Sequence, residues 1–217
     1  MNAHRKSETT PLDALRKPAQ TRAQQTASRI LDAAAALLEE TGFEDLSTNA
    51  ICRHAGVTPP ALYRYWPNKH AVLAALAERL LGKQNERMAQ WAFNEFNAGD
   101  LEESYRLLLT GQLEVTLEQP GGLWITRALR ASPTTASILD KSSAELVPLL
   151  ISMGLPGAST DPDAPLGTQV RLGIEMGYAA LELALNAQPA ERTRIIKESA
   201  FLLVTQHRTI MSASNKS

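Results

Sequence analysis

Residues 46–69, LSTNAICRHAGVTPPALYRYWPNK, hold the side chains of this sequence best suited to chemistry. The segment carries Arg53, Arg64 and Lys69 and no acid, beside the hydroxyls of Ser47, Thr48, Thr58, Tyr63 and Tyr65. Cations and hydroxyls meet phosphates, and Arg, hydroxyls and small apolar groups also meet base edges and thymine methyls. Catalytic signatures are missing from the sequence: it has no Gly-rich phosphate loop, GxSxG elbow or HExxH. His4, His54, His70 and His207 have no nucleophile beside them, and the lone Cys52 excludes an internal disulfide and any CxxC motif. The expectation is a protein that is not an enzyme, with no cofactor and no metal.

The elements that must position these residues are helices. Ile30, Leu31, Ala34, Leu37 and Leu38 share one face of a helix over about 22–41, stopped by Gly42. A short helix follows at about 48–55, with Ser47 as its N-cap and Gly56 ending it. Thr58 caps a third, with Pro59 and Pro60 in its first turn, running to about Tyr65. Asn68 caps a fourth, which reaches about residue 97 and aligns Val72, Leu73, Leu76 and Leu80. The tight turn at 55–58 forces the second and third helices to cross steeply, which is helix-turn-helix geometry, and the third projects where it can enter a major groove. Further helices are expected at about 101–118, 122–131, 134–153, 165–187 and 190–211, and no alternating pattern predicts a strand.

Three ordered segments, ILDAAAALLEETGFEDLST, AICRHAGV and ALYRYWPNKHAVLAAL, resemble the TetR (tetracycline-repressor-like) transcriptional regulators over about residues 22–82. The resemblance implies an all-α fold: a three-helix DNA-binding head on a ligand-binding and dimerisation body of about six helices. It implies phosphate contacts from Thr48, Tyr63, Tyr65 and Lys69, with Thr58, Pro59, Pro60, Ala61 and Arg64 near base edges. Ser47 opens the first short helix, whose free N–H groups suit a phosphate. Pro59 and Pro60 depart from the family pattern and remove two backbone donors, which leaves base reading chiefly to Arg64 and Thr58. Trp66 and Cys52 read as core residues, and Arg53 and His54 as rim residues.

The chain thus divides into a disordered basic arm at 1–20, the DNA-binding head at 21–82 and an effector-binding and dimerisation domain at 83–217. Charge follows this order: residues 1–29 hold six Lys and Arg against two acids, and the acidic surplus lies after residue 82. In the body, Trp91, Phe93, Tyr105, Trp124, Met153, Met176 and Tyr178 are candidate effector-pocket residues. Gly173, Gly177, Leu181, Ala184 and Leu203, small and apolar residues of the last two helices, are candidates for the homodimer interface. The expected partners are a palindromic double-stranded DNA operator, a second copy of the chain and a small, mainly apolar effector, acting in the cytoplasm and away from membranes. The competing classes are a helical protein-interaction module without DNA binding and a small helical enzyme. The first leaves the acid-free segment unexplained, and the second lacks a catalytic constellation.

Overall fold

The computed structural model describes residues 12–131, 133–152 and 165–214. Nine helices run through them in order: α1 (Leu12–Asp45), α2 (Thr48–Ala55), α3 (Pro59–Tyr63), α4 (Lys69–Asn94), α5 (Leu101–Glu118), α6 (Gly122–Ala131), α7 (Pro133–Ser152), α8 (Pro165–Asn186) and α9 (Pro189–Ser214). No strand occurs among the described residues. None of their helices is long and apolar enough to cross a membrane.

Several helix limits differ from the sequence reading. Helix α1 starts at Leu12, so residues 12–20 of the expected arm are helical, while residues 1–11 lie outside the described residues. Leu12, Ala14, Leu15, Arg16 and Lys17 are good helix formers and carry the helix across Pro18, which removes a single backbone donor. Gly42 interrupts α1 with φ +75° and ψ −178°, a conformation costly for any side chain. A Cβ there would also lie 3.0 Å from the indole of Trp124, so Gly42 lets α6 close on α1. Helix α4 ends at Asn94 rather than near residue 97, and Glu95 and Phe96 both return their N–H groups to the Trp91 carbonyl.

One core joins the head to the body. Ile30 and Leu38 of α1, Ile51 of α2, Leu62 of α3, Leu76 and Leu80 of α4 and Ile125 of α6 are all fully buried in a single cluster, with Leu129 and Leu139 at its far side. Each such side chain contributes about 1.5–3 kcal/mol by leaving water. Helix α4 crosses residues 82 and 83 without a break, and its 26 residues span about 39 Å at 1.5 Å per residue. A second cluster joins α5, α8 and α9 through Leu109, Leu113, Leu181, Ala184, Ile196 and Leu203.

Candidate nucleic-acid interface

Local chemistry builds the helix-turn-helix. Ser47 is extended, and its Oγ accepts the Ala50 N–H at 3.2 Å, satisfying one free donor of α2. Gly56 takes the left-handed conformation, φ 63° and ψ 39°, and Val57 N–H then reaches the Cys52 carbonyl at 3.0 Å. Ile51 and Leu62 fill the angle between α2 and α3. Asn68 Oδ1 accepts the Ala71 N–H at 2.9 Å and starts α4.

Thr58 does not cap α3 with its side chain, contrary to expectation. Pro60 has no N–H, and Ala61 N–H already donates to the Thr58 carbonyl at 2.9 Å, so no first-turn donor is left for the hydroxyl. Thr58, Pro59, Pro60 and Arg64 are exposed, Ala61 is half-buried, and Tyr63 is 49% exposed. Helix α3 ends at Tyr63, two residues earlier than expected, because Tyr65 and Trp66 turn their N–H groups back to Leu62 O at 2.9 and 3.0 Å.

The hydroxyls of Thr48 and Tyr63 lie 3.0 Å apart and join α2 to α3 at the surface. They share a hollow with Ser47, Asn68 and Lys69, which Glu44 and Asp45 also line. Two expected phosphate contacts have other partners. Tyr65 turns inward: it packs half-buried on the core, and its hydroxyl donates to the Ala23 carbonyl of α1 at 3.1 Å. Its proton is therefore unavailable to a phosphate, which offers only acceptors. Lys69 Nζ donates to Phe43 O at 3.1 Å and Glu44 O at 3.2 Å, above the Phe43 ring. Two of its three donors thus serve the carboxyl end of α1, and one remains for an anion. Trp66 packs on the core and Cys52 is buried in it, whereas Arg53 and His54 are exposed on the last turn of α2.

The body holds a cavity of about 110 Å³ between α4, α5, α7, α8 and α9. Of the expected pocket residues it gathers Trp91, Tyr105 and Tyr178. Phe93, two residues beyond Trp91 and so on another helix face, is 87% exposed. Trp124 lies against Gly42 with the Arg127 guanidinium 5.3 Å from its ring, Met176 packs on the second core, and Met153 lies outside the described residues. The expected interface residues face inward as well. Gly173, Gly177, Leu181 and Leu203 line the cavity, and Ala184 is fully buried in the second core. The large apolar residues that α8 and α9 expose are Leu172, Leu183, Phe201, Leu202 and Met211.

Sequence reasoning missed the polar wall of the cavity: Gln84, Asn85, Gln112, Gln206 and His207. Gln84 follows Leu73, Leu76 and Leu80 on one stripe of α4, and His207 lies between Leu203 and Ile210 on one stripe of α9, so helical spacing alone marks both as inward. His207 Nδ1 meets the Tyr105 hydroxyl at 2.9 Å. Burial, and then the neighbouring Arg208, lower the His207 pKa below its ordinary value, while burial pushes the Tyr105 hydroxyl up to about 12. The pair is thus neutral near pH 7.

Comparison with known proteins places this geometry. Residues 30–76, from the second half of α1 through α2 and α3 to the first third of α4, match the model of the bacterial regulatory proteins, tetR family. The HTH-type transcriptional regulator UidR of Escherichia coli K12 is 36% identical over 72 residues, covering 33% of this chain and 35% of that protein. The class D tetracycline repressor protein of Escherichia coli is 39% identical over 57 residues, 26% of each chain. The chain therefore spans about a third or less of the length of these curated relatives. The likeness continues through the body in three dimensions: the crystal structure of a TetR-family transcriptional regulator from Streptomyces coelicolor superposes with a TM-score of 0.66 at 26% identity, covering 85% of this chain and 99% of that one. The helix-turn-helix thus matches the tetR family in sequence, and the helical body is similar in fold to a TetR-family transcriptional regulator.

Proposed function

We propose that the protein is a cytoplasmic transcriptional repressor that binds a palindromic operator as a homodimer and releases it when a small ligand fills the body cavity. The observation that carries this reading is the surface of α3: Thr58, Pro59, Pro60, Tyr63 and Arg64 stand exposed on a short helix whose inner face is locked by Leu62. Such a helix fits a major groove, with Arg64 reaching a base edge and the Thr48–Tyr63 hydroxyl pair and Lys69 meeting the backbone on either side. Glu44 and Asp45 near Lys69 restrict how many phosphates that end accepts, because like charges repel.

Assembly is assigned to the outer face of α8 and α9, where Leu172, Leu183, Phe201 and Leu202 are 56%, 60%, 55% and 53% exposed. Apolar surface of this kind on two adjacent helices suits burial against a second copy. Dimerisation spaces two heads for two half-sites, about 34–36 Å apart for one helical turn.

Helix α4 supports coupling between ligand and DNA. Lys69 begins it at the head, Arg79 bonds Asp32 of α1 at 2.6 Å, and Gln84, Met88 and Trp91 line the cavity. A ligand that binds the two head spacings unequally shifts the protein between them. The test is an electrophoretic shift with the DNA upstream of the protein's own gene, across a salt series. Arg64→Ala is expected to relax base preference at one position per half-site, at a cost of about 1–3 kcal/mol. Equal weakening on every DNA sequence would move specificity away from Arg64, and no shift on any DNA would refute the regulator reading.

A further inference from the structure

We infer that the body cavity selects an uncharged ligand of about one aromatic ring that carries a hydrogen-bond donor, received by the side-chain carbonyl of Gln84. The inference deepens the reading of this cavity as the effector site and rests on it.

A chain of hydrogen bonds fixes the Gln84 amide. Gln84 is only 4% exposed, and its Nε2 donates to Thr116 Oγ1 at 3.0 Å. Thr116 Oγ1 in turn donates its single proton to the Gln112 carbonyl at 2.8 Å. It therefore offers Gln84 lone pairs only, and the amide cannot turn its oxygen toward it. Gln112 Nε2 closes the arrangement by donating to the Gln84 backbone carbonyl at 2.9 Å. The remaining atom, Gln84 Oε1, is buried and makes no hydrogen bond within the protein. A buried acceptor without a partner is costly, so a ligand that brings a donor gains more there than it would in water.

The rest of the wall restricts charge and size. Among the described lining residues none is Asp, Glu, Lys or Arg. An anion would face the Gln84 lone pairs with no counter-ion, and an ammonium would lose its hydration with no carboxylate to replace it. The Trp91 indole N–H is already given to the Ser104 carbonyl at 2.7 Å, so Trp91 offers its ring alone. Leu108, Ile174 and Leu181 complete apolar walls around about 110 Å³. A dry apolar cavity of ~150 Å³ holds benzene, so the smaller volume here sets one ring as the upper limit of what the cavity encloses.

The experiment titrates the full chain, without DNA, with p-cresol, toluene and benzoate, read by calorimetry and thermal shift. The expected result is a p-cresol Kd roughly tenfold below that of toluene, the worth of one satisfied buried acceptor, with no binding of benzoate. Gln84→Met removes the acceptor at similar volume and is expected to bring the p-cresol to toluene ratio to about one. Should that variant not fold, Thr116→Val frees the amide to turn, and the same ratio is expected to fall. Benzoate binding as tightly as p-cresol, equal affinities for p-cresol and toluene, selectivity surviving both variants, or no binding of any of the three would each overturn the inference. Because these titrations contain no DNA, their failure leaves the operator shift to judge the regulator reading, and a failed operator shift leaves the selectivity result standing.

Discussion

Gly177 separates two uses of helix α8. A subunit contact would need its lack of a side chain, whereas a cavity lining does not. A Cβ built at Gly177 meets no atom within 4 Å. Alanine at that position therefore adds no clash inside the subunit and removes the helix penalty of glycine, about 0.8–1 kcal/mol. In a chain of 217 residues a gain of that size raises Tm by about 2–4 °C. Gly173, one turn earlier, supplies the internal comparison. Its Cβ would lie 2.7 Å from Gln206 Oε1, whose amide Nε2 holds the Gln169 carbonyl. Gly173→Ala must push that amide aside, so its gain is expected to be smaller than that of Gly177→Ala, or reversed. Differential scanning fluorimetry reads the shifts, and light scattering reads the assembly. Gly177→Ala is expected to stay dimeric, and the larger Gly177→Leu to stay dimeric while losing cavity ligands. A fall in Tm for Gly177→Ala together with a shift to monomers would place this glycine at the subunit contact and refute the assignment of that face to the cavity.

Other expectations follow from the same geometry. Leu183→Glu, on the exposed face of α8, is expected to yield monomers by light scattering with little change in helical circular dichroism; an unchanged dimer would move the interface elsewhere. Lys69→Met is expected to lower stability in urea by about 1 kcal/mol, because two partly exposed charge-assisted bonds to the Phe43 and Glu44 carbonyls are lost. A reduced salt slope of DNA binding with unchanged stability would instead make Lys69 a phosphate contact only. The pH dependence of Tm follows from His207 and Tyr105. The folded protein holds His207 below 6.5, so the unfolded chain binds more protons there and stability falls as pH drops through 6.5. Tyr105 is raised to about 12 from 10, so the folded protein retains its proton longer and stability falls as pH rises past 10. His207→Phe is expected to flatten the acid side of a Tm profile; an unaltered profile would assign that slope to other groups.

The sequence by itself determined the head, because its signals are local. Ser47, Gly56 and Asn68 act within three or four residues of where they stand, so a cap or a turn can be read without knowing the rest of the fold. The same holds for the order of the helices, whose ends are marked by Gly and Pro. Partners distant in sequence had to be supplied by the tertiary structure. The carbonyl that takes the Tyr65 proton belongs to a residue 42 positions away, and the carbonyls that hold Lys69 lie 25 and 26 positions away. Spacing identifies which residues share a helix face, but not what that face meets. Helix α8 carries apolar residues around much of its circumference, so spacing pointed to Gly173, Gly177 and Leu181 for the interface and passed over Leu172 and Leu183 on another side. Packing against α5 and α9 turned the first set to the cavity and left the second exposed. The free acceptor of Gln84 is further still from the sequence, since it exists only because one hydroxyl on α5 has already given its proton away.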